Sequence, residues 1–171
     1  GILAGASGVV DGGDPYNPKR STRFNLDDSA WLSRTWGSGD QTKWTMSFWT
    51  KRGSLGNNKT ILGTPENTHV MRFGSDSSSP TNLCLLQSGN AVFKTEASFA
   101  DPSAWYHFVV ALDTSNAPSI PARVYVNGEE IPTADLNIGT DVTISQDAFL
   151  GVNAAGSYGI GAKPDSGGNS F

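Results

Sequence analysis

Apolar and polar residues alternate with period two along most of this chain, and no stretch of real length carries apolar residues at helical spacing. Lys43 to Thr50 shows the clearest pattern. Successive side chains of a strand point to opposite faces. Trp44, Met46 and Phe48 therefore share one face, with Thr45 and Ser47 opposite. Trp49 interrupts the polar face, which predicts partial cover there. Trp105 to Leu112 is apolar on both faces. Tyr106, Phe108, Val110 and Leu112 form one set, and Trp105, His107, Val109 and Ala111 the other. Such a strand is expected mid-sheet with cover on both sides. Phe48, Trp105, Phe108 and Val110 are accordingly expected in the core between two antiparallel sheets.

Turn residues bound these runs. Asn127-Gly128 separates Arg123–Val126 from Glu129–Ile131. Asn-Gly between two extended runs predicts a tight hairpin, because both central residues need positive φ. Further short strands are predicted near 22–25, 30–33, 60–62, 69–73, 83–87, 91–94, 142–144 and 148–152. Ser75–Pro80 and Asp113–Pro121 read as exposed loops. About a dozen short strands at close spacing imply an all-β, antiparallel sandwich or barrel.

Composition agrees. The chain has 171 residues, enough for one domain with a real core. Charged residues make up only 16%, against about 25% in typical domains, and Ser, Thr, Asn and Gly fill the shortfall. The net charge of −4 comes without any basic stripe, which argues against nucleic-acid binding. No apolar run approaches the ~18 residues of a spanning helix, so membrane insertion is not expected. The single cysteine, Cys84, rules out an intramolecular disulfide and is expected to be a buried, inert thiol. Residues 1–19 hold Gly1, Gly5, Gly8, Gly12, Gly13 and Pro15. They read as a Gly-rich arm without the layout of a secretion signal.

Trp105–Asp113, followed by Val124–Gly128, resembles the laminin G-like branch of the concanavalin A-like jelly rolls, which pairs a Trp–His strand with a "YVNG"-type hairpin. Ser47-Phe48-Trp49-Thr50-Lys51 is similar to that branch's earlier "SFWVK" strand. Ser21–Asn25, Asp28–Thr35 and Trp49–Gly53 further resemble virion proteins of tailed phages, many of them marine and cyanobacterial. The resemblance spans roughly residues 20 to 152. It implies a two-sheet jelly roll over residues 20–171, cut short of a closing strand that relatives carry after Asn169. It also implies a virion structural or adhesion protein, in a tail appendage or fibre or on the capsid surface. Its partners would be other copies of itself, other virion proteins and cell-surface glycan. A carbohydrate-binding module of a larger secreted protein is the alternative.

The residues themselves offer little catalysis. A retaining glycosidase needs two carboxyl groups about 5–5.5 Å apart, and glucanases of this superfamily take theirs from alternate positions of one strand. The four glutamates are Glu66, Glu96, Glu129 and Glu130, with no Glu-x-Asp-x-Glu run among them. Gly5-Ala6-Ser7-Gly8 lacks the closing glycine of a nucleophile elbow. The only histidines, His69 and His107, give no zinc spacing with Cys84, and His107 reads as a structural imidazole. No catalytic, cofactor or metal residue is therefore assigned. Calcium at a loop rim is implied by the family alone, with Asp101, Asp113, Asp141, Asp147 and Asp165 as acids at loops or strand ends. Solvated turn acids are the simpler reading. Exposed aromatic rings beside polar groups are what sugar binding requires. Trp31, Trp36, Tyr16 and Tyr158 fit, with Trp36 and Tyr158 carried forward as glycan candidates. The arm and the early tryptophans predict a homo-oligomer whose contacts they supply.

Overall fold

The computed structural model describes residues 21–24, 30–64, 69–117, 121–139 and 141–162. The predicted arm, Tyr16 and Asp165 lie outside them. The eleven strands among the described residues form two antiparallel sheets. In chain order they are β1 (Leu32–Trp36), β2 (Lys43–Lys51), β3 (Lys59–Gly63), β4 (His69–Phe73), β5 (Leu83–Gln87), β6 (Asn90–Thr95), β7 (Trp105–Asp113), β8 (Ala122–Val126), β9 (Glu129–Glu130), β10 (Leu136–Ile138) and β11 (Gly156–Ile160). The large sheet runs β1-β11-β3-β4-β5-β6-β10 and the small one β2-β7-β8-β9. The architecture is the expected two-sheet jelly roll. No helix among the described residues is long and apolar enough to cross a membrane.

Alternation builds the core. Trp44, Phe108, Val110, Leu112 and Val124 from the small sheet meet Leu62, Met71, Phe73, Leu83, Leu85 and Phe93 from the large one. Phe108 is fully buried and lies at the centre of an aromatic cluster. Its ring centroid is 5.5 Å from Phe48, 5.8 Å from Phe73 and 4.9 Å from Phe99. Burying such a ring contributes about 1.5–3 kcal/mol. Cys84, Leu86 and Ala91 form a small second cluster. As expected, the Cys84 thiol is buried, and burial pushes its pKa up to about 11.

The predicted hairpin is present. Asn127 and Gly128 take φ of 53° and 91° and join β8 to β9. Two other expectations fail. Residues 22–24, 142–144 and 148–152 are not strands. Positive φ at Asp147, Gly151 and Asn153 breaks the extension, while Ile144, Leu150 and Val152 plug the core from an irregular connection. Trp105 is 47% exposed, contrary to its expected core position. It shares a face with His107 and Val109, and among the described residues no third layer covers that side of the small sheet. Apolar character on both faces marked a central strand correctly, but only one face is sealed.

Two clamps brace the ends of the sandwich. Arg52, just past β2, is buried without a carboxylate partner among the described residues. It donates hydrogen bonds to the carbonyls of Phe99 (3.0 Å), Gly56 (3.3 Å) and Pro80 (3.3 Å), and its guanidinium lies 4.6 Å from the centre of the Phe73 ring. Gly151 holds φ of +68° directly over His69, where an added Cβ would sit 2.0 Å from Nδ1. Gly151→Ala must move the ring and strain the backbone together. It should lower stability by several kcal/mol, in the upper range for point mutations of about 4–5. Chemical denaturation checks this, and a loss below about 1 kcal/mol would contradict the packing described.

Candidate functional site

The nine-pair ladder between β2 and β7 runs from Lys43 opposite Asp113 to Lys51 opposite Trp105. It sends Phe48 and Phe108 inward and Trp49, Trp105 and His107 outward. Trp49 is 54% exposed. Its ring stacks on His107, with centroids 4.9 Å apart and planes 21° from parallel. The His107 ring is fixed from a second direction, because Ser47 Oγ lies 2.9 Å from its Nε2. Its backbone is fixed as well. The His107 amide donates to Asn127 Oδ1 (2.9 Å), and the Asn127 amide donates back to the His107 carbonyl (2.8 Å). Tyr125, opposite Val109, completes the aromatic face. Two large exposed tryptophans on one rigid sheet are uncommon on a surface without a partner.

Ser47 and His107 stand within nucleophile–base distance. Acyl transfer would also need an orienting group on the second ring nitrogen and donors for an oxyanion. Among the described residues neither is present: the neighbouring amides belong to the sheet ladder. The contact positions an imidazole beside Trp49.

The predicted glycan residues sit elsewhere. Trp36 and Tyr158, on the paired strands β1 and β11, stack on each other with centroids 4.1 Å apart. Tyr158 is 1% exposed. Its hydroxyl donates to the carbonyls of Gly151 (3.1 Å) and Ala154 (2.8 Å), and burial raises its pKa. The open ring face expected of Tyr158 is therefore not there, because the ring faces the core. Trp36 is half-buried, with one face taken by Tyr158. Trp31 is half-buried too.

The loop acids are mostly occupied as turn formers. Asp40, Asp76, Asp101 and Asp113 each accept from the amide and hydroxyl of the Ser or Thr two residues on. In each case the side-chain hydrogen bond is the main cause that lowers the carboxyl's pKa. Asp141 Oδ2 accepts from the Ala91 amide at 3.3 Å. Among the described residues no three His, Cys, Asp or Glu side chains are grouped to hold a metal ion. The fold does bring Glu96, Glu129 and Asp135 to an open cleft of ≈ 530 Å³ that Phe99, Val126 and Ile131 also line. These acids come from separate segments, so their grouping was invisible in the sequence.

Residues 11–165 match the laminin G-like model of the concanavalin A-like lectin/glucanases superfamily. The chain belongs to that superfamily. The laminin G-like lectin domain is typically non-catalytic, and the superfamily domain fits carbohydrate binding or a structural role. No curated protein matches the chain. Within this lectin-like frame the aromatic face of the small sheet is the feature that sequence reading missed. Its signal was the tryptophan that interrupts the polar face of β2.

The buried histidine and the turn acids predict the acid response. Burial lowers the His69 pKa to about 4, against about 6.5 for a free imidazole. Between those values the unfolded chain binds more protons, so stability is lost as the pH is lowered from about 6.5 to about 4, by up to about 3 kcal/mol, and levels off below that. The four aspartates, whose folded pKa values are depressed, lose their share only below about pH 4. Urea unfolding from pH 4 to 7 should show the slope, and His69→Asn should flatten it. A slope unchanged in that variant would contradict the assignment.

Proposed function

We propose that this domain is a non-catalytic recognition module of a virion surface, in a tail appendage or on the capsid of a tailed phage, presenting the aromatic face of its small sheet to host-surface glycan. The single observation that carries the recognition role is the exposed Trp49–His107–Trp105 cluster. A sugar ring carries a face of C–H bonds, which packs on an aromatic ring as an apolar group does. The virion setting is supported by the resemblance of residues 21–35 and 49–53 to phage proteins. Copies of the chain and other virion proteins are the assembly partners under this reading, with the early tryptophans contributing contacts. The reading invokes no calcium; of the candidate acids, Asp101 and Asp113 already serve turns.

Catalysis is set aside on chemical grounds. Glu129 lies opposite Val126 and Glu130 opposite Tyr125, so alternation directs the two carboxylates to opposite faces. Glu130 is also paired with Arg123 at 3.6 Å. The same aromatic face would serve a carbohydrate-binding module of a secreted protein equally well, and detection of the protein in purified particles distinguishes the two settings.

Trp49→Ala and Trp105→Ala should each weaken binding to host-surface polysaccharide at least tenfold, about 1.4 kcal/mol. Their unfolding midpoints should stay within a few degrees, since both rings are exposed. Pull-down on immobilised polysaccharide and thermal unfolding check this. Unchanged binding in both variants would remove the aromatic face from the function. The domain should leave β-glucan, laminarin and alginate uncut, and turnover abolished by Glu96→Gln or Glu129→Gln would make it an enzyme.

A further inference from the structure

We infer that the outer face of the small sheet selects uncharged glycans at least two sugar rings long, an inference that rests on the recognition role proposed for that face. Charge pairing carries the first half. Lys43 lies 3.4 Å from Asp113, and Arg123 lies 3.6 Å from Glu130. Lys51, opposite Trp105, lies close enough to Asp101 to help lower its carboxyl pKa. Lys43 and Arg123 are thus each paired with a carboxylate, while Lys51 has Asp101 only as a more distant acid. Asp113 is further held by the Ser115 amide (2.9 Å) and hydroxyl (2.6 Å), so it is not readily displaced. A uronate or sulfate would have to compete with Asp113 and Glu130 for cations they already pair, and would meet both carboxylates as like charges.

The groups left over suit hydroxyls. The second ring nitrogen of His107 has no hydrogen-bond partner among the described residues, and Thr45 is exposed on the same face. The rings set the length. His107 stacks on Trp49, which stays 54% exposed. Trp105 stands diagonally across the ladder, roughly 7–8 Å away as such neighbours do, with their Cβ atoms somewhat closer. One sugar ring does not cover both tryptophans, so two adjoining rings are needed.

The test is titration of tryptophan fluorescence with neutral hexasaccharides (cellohexaose, laminarihexaose and chitohexaose) and with alginate and polygalacturonate hexamers, at 50 and 500 mM NaCl. Wild type, Trp49→Ala, Trp105→Ala and Lys51→Glu are compared, with unfolding midpoints confirming that each variant is folded. The expected result is binding of a neutral hexasaccharide that changes less than twofold with salt and survives Lys51→Glu. It should weaken at least tenfold in either tryptophan variant and be lost for the matching monosaccharide. Acidic hexamers that bind better, with affinity falling steeply in salt and lost in the tryptophan variants, overturn the selectivity and leave the recognition role intact. If no hexamer binds, and the tryptophan variants change only the sedimentation of the protein, the face is a contact between copies. The inference and the recognition role then fall together.

Discussion

The ladder between β2 and β7 fixes the register on which the rest of the structure depends. Nine consecutive pairs leave no freedom for one strand to slide past the other. A one-residue slip of β2 would turn Trp49 inward and push Phe48 into water, and a slip of β7 would do the same to Trp105 and Phe108. The register that packs Phe108 against Phe73 and Phe99 is therefore the one that lifts the tryptophans out. Core stability and surface chemistry are set by the same backbone hydrogen bonds.

Around that ladder, irregular segments act as braces. Thr114 bonds Thr42 and Ala148, tying the end of β7 to the connection that plugs the core. Arg52 gathers three loop carbonyls under one guanidinium. Asp-x-Ser/Thr turns lead into β2 and β7, close β7 and shape the loop after β4. These contacts matter for recognition because a platform ordered in advance loses little conformational entropy on binding. Ser47 and His107 extend the same economy to a side chain by restricting the Trp49 ring before any ligand arrives.

Much of the fold was legible because alternation is a local signal. The spans of β4 and β5 and the Asn127-Gly128 hairpin follow from adjacent residues alone. Strands β10 and β11 were missed: Leu136–Ile138 is short, and Gly156–Ile160 carries two glycines. Residues 142–152 were misread because apolar spacing resembles a strand even where positive φ forbids one. The site was less legible, for a physical reason. Exposure is a property of what lies across from a residue, not of the residue. Trp105 reads as core from its neighbours and stands exposed because no element among the described residues covers it. Tyr158 reads as a loop aromatic and is buried because Trp36, 122 positions earlier, stacks on it. Glu96, just past β6, and Glu129, on β9, meet at one cleft only once the chain has folded.

The central claim is that the ladder-mounted aromatic face, and not a loop rim or the acidic cleft, meets the ligand. The five tryptophans give five indole N–H signals that report on different places. Two-dimensional NMR during titration with a bound glycan reads them directly. The account predicts that the Trp49 and Trp105 indoles shift together with the His107 ring, while the buried Trp44 and the Trp36 stacked on Tyr158 stay in place. Shifts confined to the amides of Glu96 and Glu129–Pro132 or to the aspartate turns, with Trp49 and Trp105 unmoved, would contradict it.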